Sequence, residues 1–142
     1  MAVIQTCNPD HDVIRLACAQ DYEAFYEREI KLRELLVFPP FCDIALFTLS
    51  HRNEQTLFAA AKELADRLKA AIEGEYRDVK LLAFGPFESP VYRAEGRYRM
   101  RIVIKCGLNK RTRALFAALM AAFGGGAHRE VQLSVDFNPT NL

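Results

Sequence analysis

Four cations alternate with apolar residues between Arg97 and Lys105. Tyr98, Met100, Ile102 and Ile104 fall on one parity; Arg97, Arg99, Arg101 and Lys105 fall on the other, with Val103 among them. Successive side chains of a β-strand point to opposite faces. The apolar set is therefore predicted to face a core, and the cations to share the surface turned away from it. Like charges in a row repel and gain nothing for folding. A solvated surface tolerates them, but three of the four are arginine, and guanidinium grips carboxylate or phosphate through two parallel hydrogen bonds. Arg97 and Arg101 stand four residues apart, roughly 13 Å on a strand rising about 3.3 Å per residue. They cannot together chelate one carboxylate. They can hold an extended acidic peptide or a nucleic-acid backbone at two points.

Charge is segregated around this run. Net charge is only +1, yet eight Lys/Arg (Arg93, Arg97, Arg99, Arg101, Lys105, Lys110, Arg111, Arg113) face one acid, Glu95, between positions 93 and 113. That segment carries +7, and the rest of the chain carries −6. A polyanion or an acidic peptide would bind at such a block. Arg93, Arg97, Arg99, Arg101 and Lys105 are the candidate nucleic-acid contacts.

Other chemistry lacks its residues. There is no G-x-x-x-x-G-K-[ST] and no G-x-G-x-x-G, so no phosphate cradle is encoded. Gly124-Gly125-Gly126 follows a helical pattern instead of opening one and reads as a C-cap and turn. His11, His51 and His128 are scattered, and Cys7 with His11 and Cys18 lacks a fourth metal ligand. Asp10, Asp12 and Asp21 read as capping and first-turn residues. No nucleophile–base set emerges from the spacing, so this chain alone is not expected to be an enzyme. Cys7, Cys18, Cys42 and Cys106 form no C-x-x-C pair, and a chain of 142 residues builds a core without disulfides; reduced thiols in a cytoplasmic protein are expected. No apolar run reaches the ~18 residues of a membrane span, and Met1 to Cys7 shows no signal-peptide pattern.

The elements that must position the basic run read as follows. Residues 2–6 form a short strand. Asn8-Pro9-Asp10 starts a helix to about Cys18. Asp21 caps a second helix to about Val37, which Phe38-Pro39-Pro40-Phe41 ends. A regular pattern then begins: a strand over 41–50; a helix capped by Asn53, with Leu57, Ala60, Ala61, Leu64, Leu68, Ala71 and Ile72 on one stripe and Gly74 as its stop. A strand over 79–87, broken by Gly85-Pro86 and Pro90, follows. Next come the basic strand over 97–106, a helix capped by Asn109 carrying Leu115, Leu119 and Ala122, and a strand over 130–137 with clean alternation. The order β-α-β-β-α-β is that of an α+β, ferredoxin-like split βαβ, with both helices on one face of a four-stranded antiparallel sheet. Residues 1–40 stand outside this unit, and 41–142 make it up. An orphan strand followed by two helices looks like the tail of a preceding domain.

Several segments together resemble the primosomal protein N′ (PriA) family of replication-restart helicases. Val3-Ile4-Gln5-Thr6, Asn8-Pro9-Asp10-His11, Asp21-Tyr22-Glu23-Ala24-Phe25-Tyr26 and Phe38-Pro39-Pro40-Phe41 resemble the end of its second helicase lobe and the exit linker. Gly85-Pro86, Gly96-Arg97-Tyr98-Arg99 and Ser134-Val135-Asp136-Phe137-Asn138-Pro139 resemble its C-terminal domain. The resemblance implies a full-length ATP-dependent 3′–5′ DNA helicase whose ATP/Mg and zinc sites lie upstream of this chain. It implies a C-terminal domain with the fold of a small-subunit ribosomal protein, which contributes to binding forked or single-stranded DNA. That domain also receives the acidic, Phe-ending tail of single-stranded DNA-binding protein and takes part in docking other primosome proteins. A Gly-Arg-Tyr-Arg-Trp-Gln run of the family falls on Gly96, Arg97, Tyr98, Arg99, Met100 and Arg101. Arg97 matches the arginine expected to hold the tail carboxylate, and Arg101 stands where the family has glutamine. Asn138 stands where the family usually has aspartate, a change with no function attached. A small-molecule regulatory module that binds an amino acid shares this strand order. It would want a glycine-rich loop after the first strand, where Ser50-His51-Arg52-Asn53 has none. A ribosomal or RNA-binding protein would leave the first 37 residues unexplained.

Overall fold

The computed structural model describes all residues, Met1–Leu142, and divides them into two compact units, Met1–Phe41 and Cys42–Leu142.

In the first unit the run at 2–6 forms no strand. A strand needs a neighbour for its N–H and C=O groups, and this run has none. Helix α1 (Asp12–Ala19) starts later than Asn8-Pro9 predicts. His11 is its cap, with Nδ1 accepting from Val13 N–H at 3.3 Å. Asn8 is held in a turn, its N–H on Thr6 Oγ1 at 3.1 Å. Helix α2 (Tyr22–Leu35) starts where predicted, Asp21 accepting from Ala24 N–H at 3.1 Å. It ends before Val37, whose φ of 52° is left-handed. Arg28 pairs with Asp12 at 2.7 Å. Neither helix buries a single residue. Two helices this short cannot assemble a core of their own.

The second unit runs β1 (Asp43–His51), α3 (Glu54–Glu73), β2 (Leu81–Ala94), β3 (Arg97–Cys106), α4 (Lys110–Gly124), β4 (Gln132–Phe137). The sheet order is β2-β3-β1-β4 with every neighbouring pair antiparallel, the ferredoxin-like arrangement. Both helices lie on one face. Leu57, Ala60, Ala61, Leu64 and Leu68 of α3 and Leu115, Phe116, Leu119 and Phe123 of α4 share one core with Ala45, Phe47 and Leu49 of β1 and Met100, Ile102, Ile104 and Cys106 of β3. Asn53 and Asn109 cap the helices as predicted, accepting from Thr56 N–H at 2.9 Å and from Arg111 and Thr112 N–H at 2.9 and 3.0 Å. Ala122 is exposed, and Phe123 takes the buried place expected of it. β4 starts two residues later than its alternation suggests.

The largest departure is β2. Gly85-Pro86 and Pro90 do not end it; it continues to Ala94 as an edge strand with irregular registers between Phe84/Phe87 and Glu88/Arg93. Edge strands and bulges are where proline and glycine are tolerated. Gly85 has φ +108°, and a Cβ there would stand 2.9 Å from the Arg101 carbonyl oxygen, so only glycine fits. Glu95 and Gly96, with φ 52° and 73°, close the two-residue turn into β3.

Candidate nucleic-acid interface

The helices cover one face of the sheet, and register assigns every residue of the other. Along β3, Arg99, Arg101, Val103 and Lys105 stand opposite Ser50, Thr48, Leu46 and Ile44 of β1. On its other flank, Arg97, Arg101, Val103 and Lys105 stand opposite Ala94, Phe87, Phe84 and Leu82 of β2. Gln132, Ser134 and Asp136 of β4 complete the face, opposite Ser50, Thr48 and Leu46. Four of the five candidate contacts, Arg97, Arg99, Arg101 and Lys105, therefore share one surface by strand parity alone.

Arg93 does not join them. It pairs with Tyr98, which packs on the core side of β3, and its guanidinium lies 5.2 Å from the Tyr98 ring centroid. The rest of the basic block is dispersed as well. Arg111 pairs with Asp78 at 3.1 Å and stacks 4.4 Å from the Tyr76 ring, which ties α4 to the loop after α3. The Asp78 carboxyl is held below its ordinary value by that hydrogen bond. Arg113 lies over Phe137 at 5.6 Å. Segment charge thus overstates the surface: three of its eight cations pack away from the face.

Three of the four cations on the face are held in place. Arg97 Nε donates to Ser50 Oγ at 3.2 Å and Nη2 to the Ser50 carbonyl at 3.0 Å. Ser50 Oγ in turn reaches Gln132 Oε1 at 3.4 Å, so the guanidinium is fixed across β1 to β4. Arg101 lies 5.1 Å from the Phe87 centroid, and Lys105 Nζ 5.6 Å from that of Phe84. Arg101 Nε is buried and has no hydrogen-bond partner. No carboxylate pairs with Arg97, Arg99 or Arg101. Stacking on a ring and hydrogen-bonding to neutral oxygen immobilise a guanidinium without neutralising it. The result is preorganised positive charge.

Sequence reasoning missed Ser50, Phe84 and Phe87 on this face. Phe84 and Phe87 are three apart, which in a regular strand places them on opposite sides. The extra residue at Gly85-Pro86 brings both to the side of the cations. A Gly-Pro inside an apolar run was the available signal, as a mark of a bulge instead of an end.

One further cluster closes the face. Asp43 accepts from Leu108 N–H at 2.8 Å and from Asn138 Nδ2 at 2.9 Å. Asn138 Oδ1 accepts from Ile44 N–H at 2.8 Å, and its own N–H donates to the Ile44 carbonyl at 2.7 Å. These donors, the Leu108 amide first, hold the Asp43 carboxyl below its usual value. Asn138, in left-handed conformation with φ 50°, thereby locks the end of β4 to β1. On the helix-covered side Tyr92, packed against Tyr98, donates to Glu54 of α3 at 2.6 Å, and that bond raises the phenol to about 12. No three His, Cys, Asp or Glu side chains converge to hold a metal ion, and no helix is long and apolar enough to cross a membrane.

Comparison with known proteins adds the following. The family described as primosomal protein N C-terminal domain matches residues 34–140. The replication restart protein PriA of Bacillus subtilis is 34% identical over 138 residues, 96% of this chain and 16% of that protein. PriA proteins of Thermotoga maritima and Borreliella burgdorferi are each 30% identical, over 73% and 71% of this chain and 13% and 14% of their own. The chain thus spans about a sixth or less of the length of these relatives.

Proposed function

We propose that this chain, which belongs to the primosomal protein N C-terminal domain family, is the DNA- and protein-docking part of a replication-restart protein. Its open sheet face binds forked or single-stranded DNA, with Arg97, Arg99, Arg101 and Lys105 on the phosphates. The same arginines, Arg97 foremost, take the acidic tail of single-stranded DNA-binding protein and compete there with DNA. ATP hydrolysis, 3′–5′ unwinding, zinc binding and contacts to the remaining primosome proteins belong to the longer protein, working in the cytoplasm; this chain supplies docking and no catalysis. The first unit, with no buried residue in either helix, packs on the parts of that protein that precede it.

One observation carries this reading: three guanidiniums on the helix-free face, Arg97 held by Ser50 and Arg101 by Phe87, with no acidic partner. Phosphate neutralisation releases counterions, so affinity falls with salt at a log–log slope of about 0.7 per phosphate contact on a single strand. Labelled forked and single-stranded DNA titrated at two salt concentrations gives that slope. Replacing Arg97, Arg99 and Arg101 with alanine should flatten it by about 2 while the circular dichroism stays that of the parent. A triple variant that binds with unchanged affinity and slope removes the face as the site.

A further inference from the structure

We propose that Phe84 and Phe87 are a stacking platform for unpaired bases of single-stranded DNA, so that the face reads the strand by its bases as well as its phosphates. This rests on the reading of the basic face as a DNA site and deepens it.

The two rings are placed by a device, not by ordinary alternation. Phe84 and Phe87 stand opposite Val103 and Arg101, two residues apart on β3 and therefore about 7 Å along it. The bulge at Gly85-Pro86 supplies the extra residue, and Gly85 alone tolerates the φ of +108° it requires. Neither ring belongs to the buried core; they are 45% and 36% exposed, and Leu82 beside them is 56% exposed. Folding gains little from large apolar side chains left in water. A cation lies over one face of each ring, Arg101 on Phe87 and Lys105 on Phe84. Flat rings flanked by positive charge answer the two parts of a nucleotide: base on aromatic, phosphate on guanidinium or ammonium. An acidic peptide with a single terminal Phe would use the charge and bring an aromatic group to at most one of the two rings. Base stacking does not release counterions, so its contribution should survive salt that weakens the phosphate contacts.

The experiment compares oligo(dT) with an abasic strand of equal length on the whole chain, at two salt concentrations. The parent should prefer oligo(dT) by about tenfold or more, with similar salt slopes for both strands. Phe84→Leu with Phe87→Leu keeps apolar bulk and removes the π-faces; it should abolish the preference and leave the slope unchanged. Phenylalanine ring resonances of the parent should shift on adding oligo(dT) and stay put with the abasic strand, a readout that needs no variant to fold. Equal binding of both strands, or unmoved ring signals, overturns the stacking proposal and leaves the phosphate reading standing. Failure of both strands to bind overturns both.

Discussion

Asn138 offers a sharp test of how the face is held together, because aspartate and alanine at this position break different parts of one cluster. Asn138→Ala removes the acceptor of the Ile44 N–H, and Ile44 is 3% exposed. A buried donor left unpaired costs about 1–3 kcal/mol. The same change forfeits the hydrogen bond to Asp43, which at an exposed site contributes about 0.5–1 kcal/mol. It also places alanine at φ 50°, about 1 kcal/mol worse than asparagine. The expected loss is about 3 kcal/mol, against a typical domain stability of about 5–15 kcal/mol. Asn138→Asp keeps the oxygen for Ile44 and the tolerance of left-handed backbone. It loses only the donor and sets two carboxylates against each other, for a cost of about 1–2 kcal/mol at neutral pH.

The pH dependence separates the two variants. In the parent the Asp43 pKa is lowered, so its contribution is present above the unfolded value near 4 and is lost as pH falls through the folded value below that. In Asn138→Asp one carboxyl of the pair is raised instead. Its proton restores a donor, so the deficit relative to the parent should shrink as pH falls from 6 towards 4. Asn138→Ala should show no such recovery. Urea unfolding followed by far-ultraviolet circular dichroism across pH 4–8 measures both. An aspartate variant as stable as the parent at pH 7, or a deficit independent of pH, refutes the assignment of the Asn138 amide as donor to Asp43.

Two further outcomes follow from the fold. Asn109→Ala removes the cap that accepts from Arg111 and Thr112 N–H; thermal unfolding should show a loss of about 1–2 kcal/mol, with the salt slope of DNA binding unchanged. Tyr92 should ionise late, at about 12, in an ultraviolet titration. Tyr92→Phe should delete that late component, and its survival would place the Glu54 hydrogen bond on another phenol.

The face was legible in the sequence wherever period two held. From Arg97 to Cys106 parity assigned each residue its side, and along β4 the clean alternation did the same. The helix caps Asn53, Asn109 and Asp21 were legible because a short polar side chain ahead of an apolar stripe has few other uses. Failures came where alternation is broken by backbone that only particular residues allow. Gly85-Pro86 concealed a bulge inside a strand, and with it the position of Phe87. Asn138, with no function attached from its sequence alone, gains its meaning from Asp43, ninety-five positions away, a contact that no local pattern encodes. In the first unit the run at 2–6 has strand-forming residues but nothing to pair with, and propensity without a partner yields no strand.

The distribution of charge over the open face also constrains how a ligand lies on it. The basic and aromatic residues occupy β3 and β2, while Asp136 stands on β4, beyond β1 in the sheet order. Strands are spaced about 4.8 Å apart, so Asp136 sits roughly 10 Å from the line of arginines. β1, between them, presents Ser50, Thr48 and Leu46, all uncharged. A polyanion crossing the strands would run from attraction into repulsion. One lying along β3 meets Arg97, Arg99, Arg101 and Lys105 in turn, with the rings of Phe87 and Phe84 on its flank. The edge position of β2 leaves that flank open to bases, whereas in the middle of the sheet another strand would close it. Charge gradient and strand order thus favour the same path, lengthwise over the β2–β3 hairpin.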